Sequence, residues 1–402
     1  MLHRYHGLID GQSAASKVGM NDVLKKSVPE GAAAESATVG ESAAGAILTI
    51  DLGAIRENYR RLKARLGGAR CAGVVKADGY GLGAGQVAAA LAKEGCDIFF
   101  VALLSEGALL RKALGWRPAI YVLNGIAPGA EGEAEAAGLT AVINSVEQLA
   151  AWHAAARRAG RKLPAAIQVD SGMSRLGMAA AEVEAVAGDL QAFDGIDVTL
   201  VMSHLACADE PAYPANEQQR LEFERLRKML PKAPASLANS SGIFLGPRFH
   251  YDLARPGAAL YGINPTPAEP NPMLPVVRLE ARIIQTRNLH SGTGVGYGHA
   301  FHVTEPMAAA TISLGYGDGW HRRAAAAAFL DGVRLPFLGR VSMDSIILDI
   351  SALPPGRLKA GDLVQLIGPS QTVDQAAGHA GTIGYEILTS LGHRFHRRYV
   401  NR

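Results

Sequence analysis

The stretch Gly73-Val74-Val75-Lys76-Ala77-Asp78-Gly79-Tyr80-Gly81-Leu82-Gly83 sets the reading of the whole chain. Small and apolar residues run from Cys71 to Val75, a single lysine follows, and three glycines and a tyrosine come after it. That order reads as a short buried strand that breaks at its carboxyl end into a glycine-rich turn ahead of a helix. Lys76 therefore falls at the C-terminal tip of a strand, where parallel α/β folds bind their ligands. An ammonium group sunk among apolar residues loses hydration, which disfavours its charged form. Two arrangements relieve that cost: pairing with a carboxylate such as Asp78, or use of the amine in a Schiff base.

Working outward, strand and helix patterns alternate. Strand signals fall at Cys71 to Val75, Ile98 to Leu103, Ala119 to Leu123, Thr140 to Ile143, Ala165 to Val169, Asp197 to Ser203, Ala235 to Leu237 and Ala254 to Tyr261. Between them lie helical stretches at Gly85 to Glu94, Glu106 to Ala113, Val146 to Ala159, Ala180 to Leu190 and Asn216 to Leu230. Eight strands with intervening helices predict an α/β fold whose N-terminal part, residues 46–275, is a (β/α)8 barrel. The alternative, a doubly wound sheet, calls for a Gly-x-Gly-x-x-Gly phosphate loop after its first strand, which Lys76 to Gly81 does not supply. Ile47 to Leu52 reads as a strand that opens this region, followed by a helix from Ala54 to Ala64. From about residue 276 the pattern turns to alternating and β-branched runs at Val276 to Thr286, Ala308 to Leu314, Val333 to Val341, Ile346 to Ile350 and Leu363 to Ile367. Residues 276–402 are thus a second, mainly β domain. Residues 1–45, rich in Ala, Gly, Ser and Glu without periodicity, read as a flexible extension.

Composition narrows the function classes. The 402 residues exceed one comfortable core, and the 48% hydrophobic and 19% charged shares are globular. A net charge of +3 built from mixed signs gives no footprint for nucleic acid or an anionic membrane. Cys71, Cys96 and Cys207 are odd in number and lack metal-ligand spacing, which suits a reducing compartment. No apolar run approaches the ~20 residues of a membrane span, and no secretory leader is evident. The expected location is the cytoplasm.

Val74-Val75-Lys76-Ala77-Asp78-Gly79-Tyr80-Gly81-Leu82-Gly83 resembles the pyridoxal-phosphate lysine motif of the alanine racemase family, and further segments resemble that family in order to the C-terminus. The resemblance implies that Lys76 carries pyridoxal 5'-phosphate and that Tyr80 lies at the cofactor. In Arg255-Pro256-Gly257-Ala258-Ala259-Leu260-Tyr261-Gly262 it implies that Arg255 meets the pyridine nitrogen and that the Gly257 and Ala258 amides meet the phosphate. A guanidinium does not give up its proton, so the ring nitrogen stays unprotonated and electron withdrawal is limited, which favours proton return over transamination. Gly294-Val295-Gly296-Tyr297-Gly298-His299 matches the catalytic tyrosine motif, and the implied arrangement is a head-to-tail homodimer in which Tyr297 completes the partner's site. Racemisation needs a base on each face of Cα, so Lys76 is assigned the D-alanine face and Tyr297 the L-alanine face.

By the same resemblance His204 contacts that tyrosine with Arg255 behind it, Arg175 of Asp170-Ser171-Gly172-Met173-Ser174-Arg175-Leu176-Gly177 holds the substrate carboxylate, and Ser240 meets the phosphate. The Met343 backbone amide is expected on the substrate carboxylate, Tyr385 at the phosphate and the gate, and Gly315 to Gly319 at the entrance. One departure is Gln168, where many members carry a carbamylated lysine; an amide can orient Arg175 but cannot cancel its charge, so no carbamate is expected. The implied activity is interconversion of L- and D-alanine, for cell-wall supply or for breakdown. Three other readings are weighed. A pyridoxal-phosphate carrier would lack residues 276–402 and Tyr297; a decarboxylase of the same fold would want a C-terminal cysteine, and all three cysteines precede residue 208. A broader racemase acting on serine depends on pocket packing.

Overall fold

The computed structural model of the chain describes residues 40–189, 191–322 and 326–402. The extension expected over residues 1–45 lies, up to residue 39, outside the described residues. Its last part holds a short 3-10 helix, Glu41–Ala43, anchored where Arg398 donates to the Glu41 carboxylate at 2.9 Å and Arg282 to the Glu41 carbonyl at 3.0 Å.

Among the described residues, seven parallel strands pair in chain order: Gly73–Val74, Ile98–Val101, Ala119–Val122, Thr140–Ile143, Leu163–Gln168, Ile196–Met202 and Ala235–Ser236. Their apolar runs are buried on both faces, as parallel strands under helices must be. Leu253–Ala254 takes the eighth position, pairing with Arg70–Cys71. On that side the Ala72 and Val74 amides donate to the Ala254 and Pro256 carbonyls at 2.9 and 3.0 Å. On the other, Asp252 and Arg255 amides donate to Ala235 and Ala238 carbonyls at 3.0 and 2.9 Å. The sheet closes on itself as a (β/α)8 barrel, and the doubly wound alternative is excluded.

Several expected elements are corrected. The single strand from Ala254 to Tyr261 ends at Ala254, and Ala258–Tyr261 is a 3-10 turn. Pro256 removes a donor from the ladder, and Gly257 at φ −121°, ψ −86° leaves the extended region. The consequence is functional, since the Gly257 and Ala258 amides stand at the barrel mouth and not in a sheet. The run from Cys71 to Val75 is likewise two short pieces, Arg70–Cys71 and Gly73–Val74.

The opening strand, Ala46–Asp51, does not join the barrel. It pairs antiparallel with Val277–Leu289 and parallel with His396–Val400, so chain from both ends shares one sheet. That sheet also runs through Met307–Ile312, Ile346–Asp349, Val333–Leu338, Ala327–Leu330 and Leu363–Ile367, and the long strand Val277–Leu289 returns to pair with Met307–Ile312. Ala327–Leu330 and His396–Val400 carry no strand signal: the first begins alanine-rich, the second is crowded with arginine. Helix Leu52–Arg65 leaves the β sheet to pack on the barrel, capped by Asp51, whose carboxylate accepts from Gly53 and Ala54 amides at 2.9 and 3.1 Å.

Asn58 of that helix is fully buried and ties it to the crossing between the two parts of the fold. Its Oδ1 accepts from the Leu274 amide at 2.7 Å, and its Nδ2 donates to the Leu274 and Leu260 carbonyls at 3.0 and 3.2 Å. Asn58→Ala strands these buried backbone groups and is expected to cost about 2–3 kcal/mol, read as a lower midpoint in denaturant unfolding. An unchanged midpoint would show that the amide is not what joins helix and crossing.

Candidate active site

The barrel mouth is built from strand ends. A cavity of about 360 Å³ is lined by Lys76 beyond the first barrel strand, Leu123 beyond the third, Arg175, His204, Ser240 and Arg255 beyond the last four, and Gly257, Ala258, Tyr80 and Tyr385. Nine residues singled out in the sequence thus meet in one place: Lys76, Tyr80, Arg175, His204, Ser240, Arg255, Gly257, Ala258 and Tyr385.

Lys76 leads into an unusual backbone. Ala77, Asp78, Gly79, Tyr80 and Gly81 have φ of 52°, 52°, 63°, 55° and 79°, five left-handed residues in succession. Only the two glycines adopt this freely; each of the other three costs roughly 1–2 kcal/mol. Such a turn persists only where its surroundings hold it. The Asp78 carboxylate accepts from the Ala84 amide at 2.8 Å, capping helix Ala84–Lys93, which is a structural use of that group. Tyr80 stacks on Tyr261 at 4.5 Å and tilts toward Tyr385 at 6.1 Å. Glycine is required at position 257, where a Cβ would stand 2.2 Å from the Tyr80 hydroxyl.

Opposite Lys76, Arg255 is buried. It donates to the Ser203 carbonyl at 2.6 Å and to Ser236 Oγ, and lies 3.4 Å from His204 Nδ1. Gln219 fixes the His204 backbone, donating to its carbonyl at 2.9 Å. Ser240 Oγ accepts from the Gly257 and Ala259 amides at 3.0 and 3.2 Å, which hold the hydroxyl against the turn that follows Arg255. The loop bearing Arg175 is shaped by Asp170, whose carboxylate accepts from Gly172, Met173 and Ser174 amides at 2.9, 2.9 and 3.1 Å. Gln168 is buried at the end of its strand, while Arg175 is exposed.

The lining holds cations and no carboxylate. Burial, then the nearby Arg175, lower the Lys76 amine from its usual 10.5, with Glu106 opposing. Burial lowers the Arg255 guanidinium to about 9, which leaves it charged at neutral pH. His204 is pushed down to about 3 by burial first, then by Arg255, Arg175 and Lys76, so its ring is neutral.

Two predicted residues are not in this cavity. Tyr297, in the 3-10 turn Tyr297–His299, is 67% exposed, and Met343 is 53% exposed. Their loops adjoin one another and the Gly315 to Gly319 segment: the Tyr316 and Gly317 amides donate to the Ser342 and Met343 carbonyls at 3.0 and 2.8 Å. A side chain at Gly298 would meet Arg340 at 3.2 Å. Conversely, Asn239 and Thr389 line the cavity without having been singled out. Thr389 sits one turn beyond Tyr385 on helix Gly384–Ser390 and donates to its carbonyl at 2.9 Å, so the helical spacing was the available signal.

Comparison with known proteins sets the chain among alanine racemases. The family model for the alanine racemase N-terminal domain matches residues 50–265, and that for the alanine racemase C-terminal domain matches residues 276–399. A catabolic alanine racemase of Mesorhizobium japonicum is 77% identical over 90% of this chain and 95% of its own. A catabolic alanine racemase of Agrobacterium fabrum is 51% identical over 88% and 92%. The crystal structure of alanine racemase from Bartonella henselae, with covalently bound pyridoxal phosphate, is 40% identical with a TM-score of 0.86, covering 89% of this chain and 100% of that one.

The depressed His204 makes a stability prediction. The unfolded chain takes up a proton below its ordinary 6.5, whereas the folded site does so only near 3, so unfolding gains a proton in between. Stability is therefore lost as pH falls from 6.5 toward 3. His204→Asn should flatten the fall in melting temperature between about pH 7 and pH 4.5; curves parallel to those of the unmodified protein would mean that His204 is not buried neutral.

Proposed function

Since the chain belongs to the alanine racemase family, we propose that Lys76 and Tyr297 are the two bases by which it interconverts L- and D-alanine. The family depends on pyridoxal phosphate. The observation that carries the reading is the convergence of Lys76, Arg175 and Arg255 on one cavity without a carboxylate in its lining, a setting that favours an anionic occupant.

The residues present fit the cofactor. The Ser240 hydroxyl, held by the Gly257 and Ala259 amides, can donate to a phosphate, and Gly257, Ala258 and Tyr385 line the cavity beside it. The missing Cβ at Gly257 leaves the Tyr80 hydroxyl room there. Lys76 offers a half-buried, downshifted amine for covalent attachment, and Arg255 offers a fixed donor for a ring nitrogen. When bound, pyridoxal phosphate supplies an aldehyde for the amine and a ring that draws electrons from Cα.

The chain's own residues do the rest. Arg175, an exposed guanidinium that lines the cavity, holds the substrate carboxylate, with the Met343 amide as a second donor. Lys76 Nζ takes or returns a proton on the D-alanine face. Tyr297 Oη does so on the opposite face, and its distance from the cavity of its own chain supports donation from a partner subunit in a head-to-tail homodimer. Tyr297, Tyr316, Met343 and Ile383 are exposed by 67, 40, 53 and 61%, an apolar surface in keeping with such an interface. Neutral His204 and buried Arg255 line the path behind, keeping water out and charge fixed. With Gln168 in its strand, Arg175 keeps its full charge, and no carbamate forms. Enantiomers have equal standard free energies, so direction is set by supply and removal; the names of the two curated relatives support a catabolic setting over cell-wall supply. Three free cysteines suit a cytoplasmic location.

Tyr297→Phe should bind cofactor normally and, in heavy water, exchange the α-hydrogen of L-alanine on the order of a hundredfold more slowly, with a smaller loss from D-alanine. Equal losses from both enantiomers would overturn the two-face assignment. Lys76→Ala should hold no covalent cofactor, as seen by borohydride capture and mass analysis; capture at another lysine would remove Lys76 from the account.

A further inference from the structure

The left-handed turn after Lys76 is held from outside the cavity. Glu106, in the first turn of helix Leu104–Leu114, extends one carboxylate between two elements. Oε1 accepts from the Ala77 amide at 2.6 Å, the first left-handed residue after the lysine. Oε2 accepts from the Ala102 and Leu103 amides at 2.7 and 3.2 Å, at the end of the neighbouring barrel strand. We propose that Glu106 is a positioning residue for Lys76: its carboxylate pins the left-handed turn to the adjacent strand and so fixes where the lysine amine stands. The inference rests on Lys76 as the cofactor lysine.

Glu106 does not line the cavity, so it reaches bound ligands only by way of Lys76. A carboxylate accepting three backbone donors is a strong, charge-assisted anchor. Its negative charge also acts on Lys76, favouring the ammonium against burial and Arg175. The far side of the turn is braced from the C-terminal strand His396–Val400, where Arg397 donates to the Gly81 carbonyl at 2.6 Å and the Tyr399 hydroxyl to the Leu82 carbonyl at 3.0 Å. Those braces act on the end of the turn, and Glu106 acts on its start.

The molecule supplies its own control. Glu182 occupies the equivalent position on helix Ala180–Ala187 and accepts from the Ala179 and Val146 amides at 2.7 and 3.4 Å. It caps a helix and touches no part of the lysine turn. Glu106 and Glu182 therefore share a capping role, and only Glu106 has the second one.

The experiment compares holoenzymes of the unmodified protein, Glu106→Gln, Glu106→Asp and Glu182→Gln. Reduction of the unmodified holoenzyme with borohydride and peptide mapping first asks whether Lys76 carries the cofactor; label elsewhere would sink the underlying reading and not the clamp. Glu106→Gln should hold pyridoxal phosphate about tenfold more weakly, as one displaced charge-assisted bond allows, with a shifted visible absorption band and a loss in kcat larger than any change in KM. Glu106→Asp, which keeps the charge but withdraws the carboxylate by one methylene, should fall in between, and it decides the matter if Glu106→Gln does not fold. Glu182→Gln should lower the melting temperature and leave cofactor affinity and band unchanged. The proposal is overturned if the Glu106 variants keep the unmodified protein's affinity and band while only their melting temperature drops.

Discussion

Three cations, Lys76, Arg175 and Arg255, face one cavity whose lining contains no carboxylate to answer them. Burial pushes Arg255 down, and burial with repulsion from the neighbouring cations pushes Lys76 down and holds His204 neutral. An arrangement of this kind costs stability in the empty protein and returns it when anions arrive. A phosphate and a substrate carboxylate are the two anions that the proposed chemistry requires. The same surplus of positive charge that weakens the empty site therefore orients and retains its occupants.

Holding such a site apart takes a stiff frame, and the closed barrel supplies one. Lys76 and Arg255 stand just beyond the ends of two strands, so their spacing is set by the sheet, while Arg175 is carried by the loop that Asp170 shapes. The turn from Ala77 to Gly81 is left-handed for five residues and unstable by itself. Backbone bonds, the Asp78 cap, the stacked Tyr80 and Tyr261, and the C-terminal strand surround it. The pairing of Ala46–Asp51 with both Val277–Leu289 and His396–Val400 carries the support of the β sheet to this turn.

Much of this was legible in the chain. Barrel strands such as Thr140–Ile143 are short continuous apolar runs between helical patterns, a signal that survives without knowledge of pairing. The sheet membership of Ala46–Asp51 was not legible, because its partners lie more than two hundred residues away and nothing local names them. Pro256 and Gly257 ended a strand that composition alone extended to Tyr261. Site residues embedded in glycine-rich motifs stood out, whereas Thr389 and Glu106 belong to ordinary helices and become visible only when the backbone shows what they touch. Tyr297 was recognisable as a motif, and its absence from its own chain's cavity is in keeping with the expectation that it serves a partner's, while its 67% exposure could not be read from sequence.

The most direct test of the central claim, a site shared between subunits, is complementation. Lys76→Ala and Tyr297→Phe homodimers, each nearly inactive, would be mixed under conditions that exchange subunits, and racemisation followed by circular dichroism. If Tyr297 serves the partner's cavity, each hybrid dimer contains one site with both defects and one intact site, and activity returns. If Tyr297 serves its own chain, every site in the hybrid keeps one defect and activity stays lost, which would contradict the account.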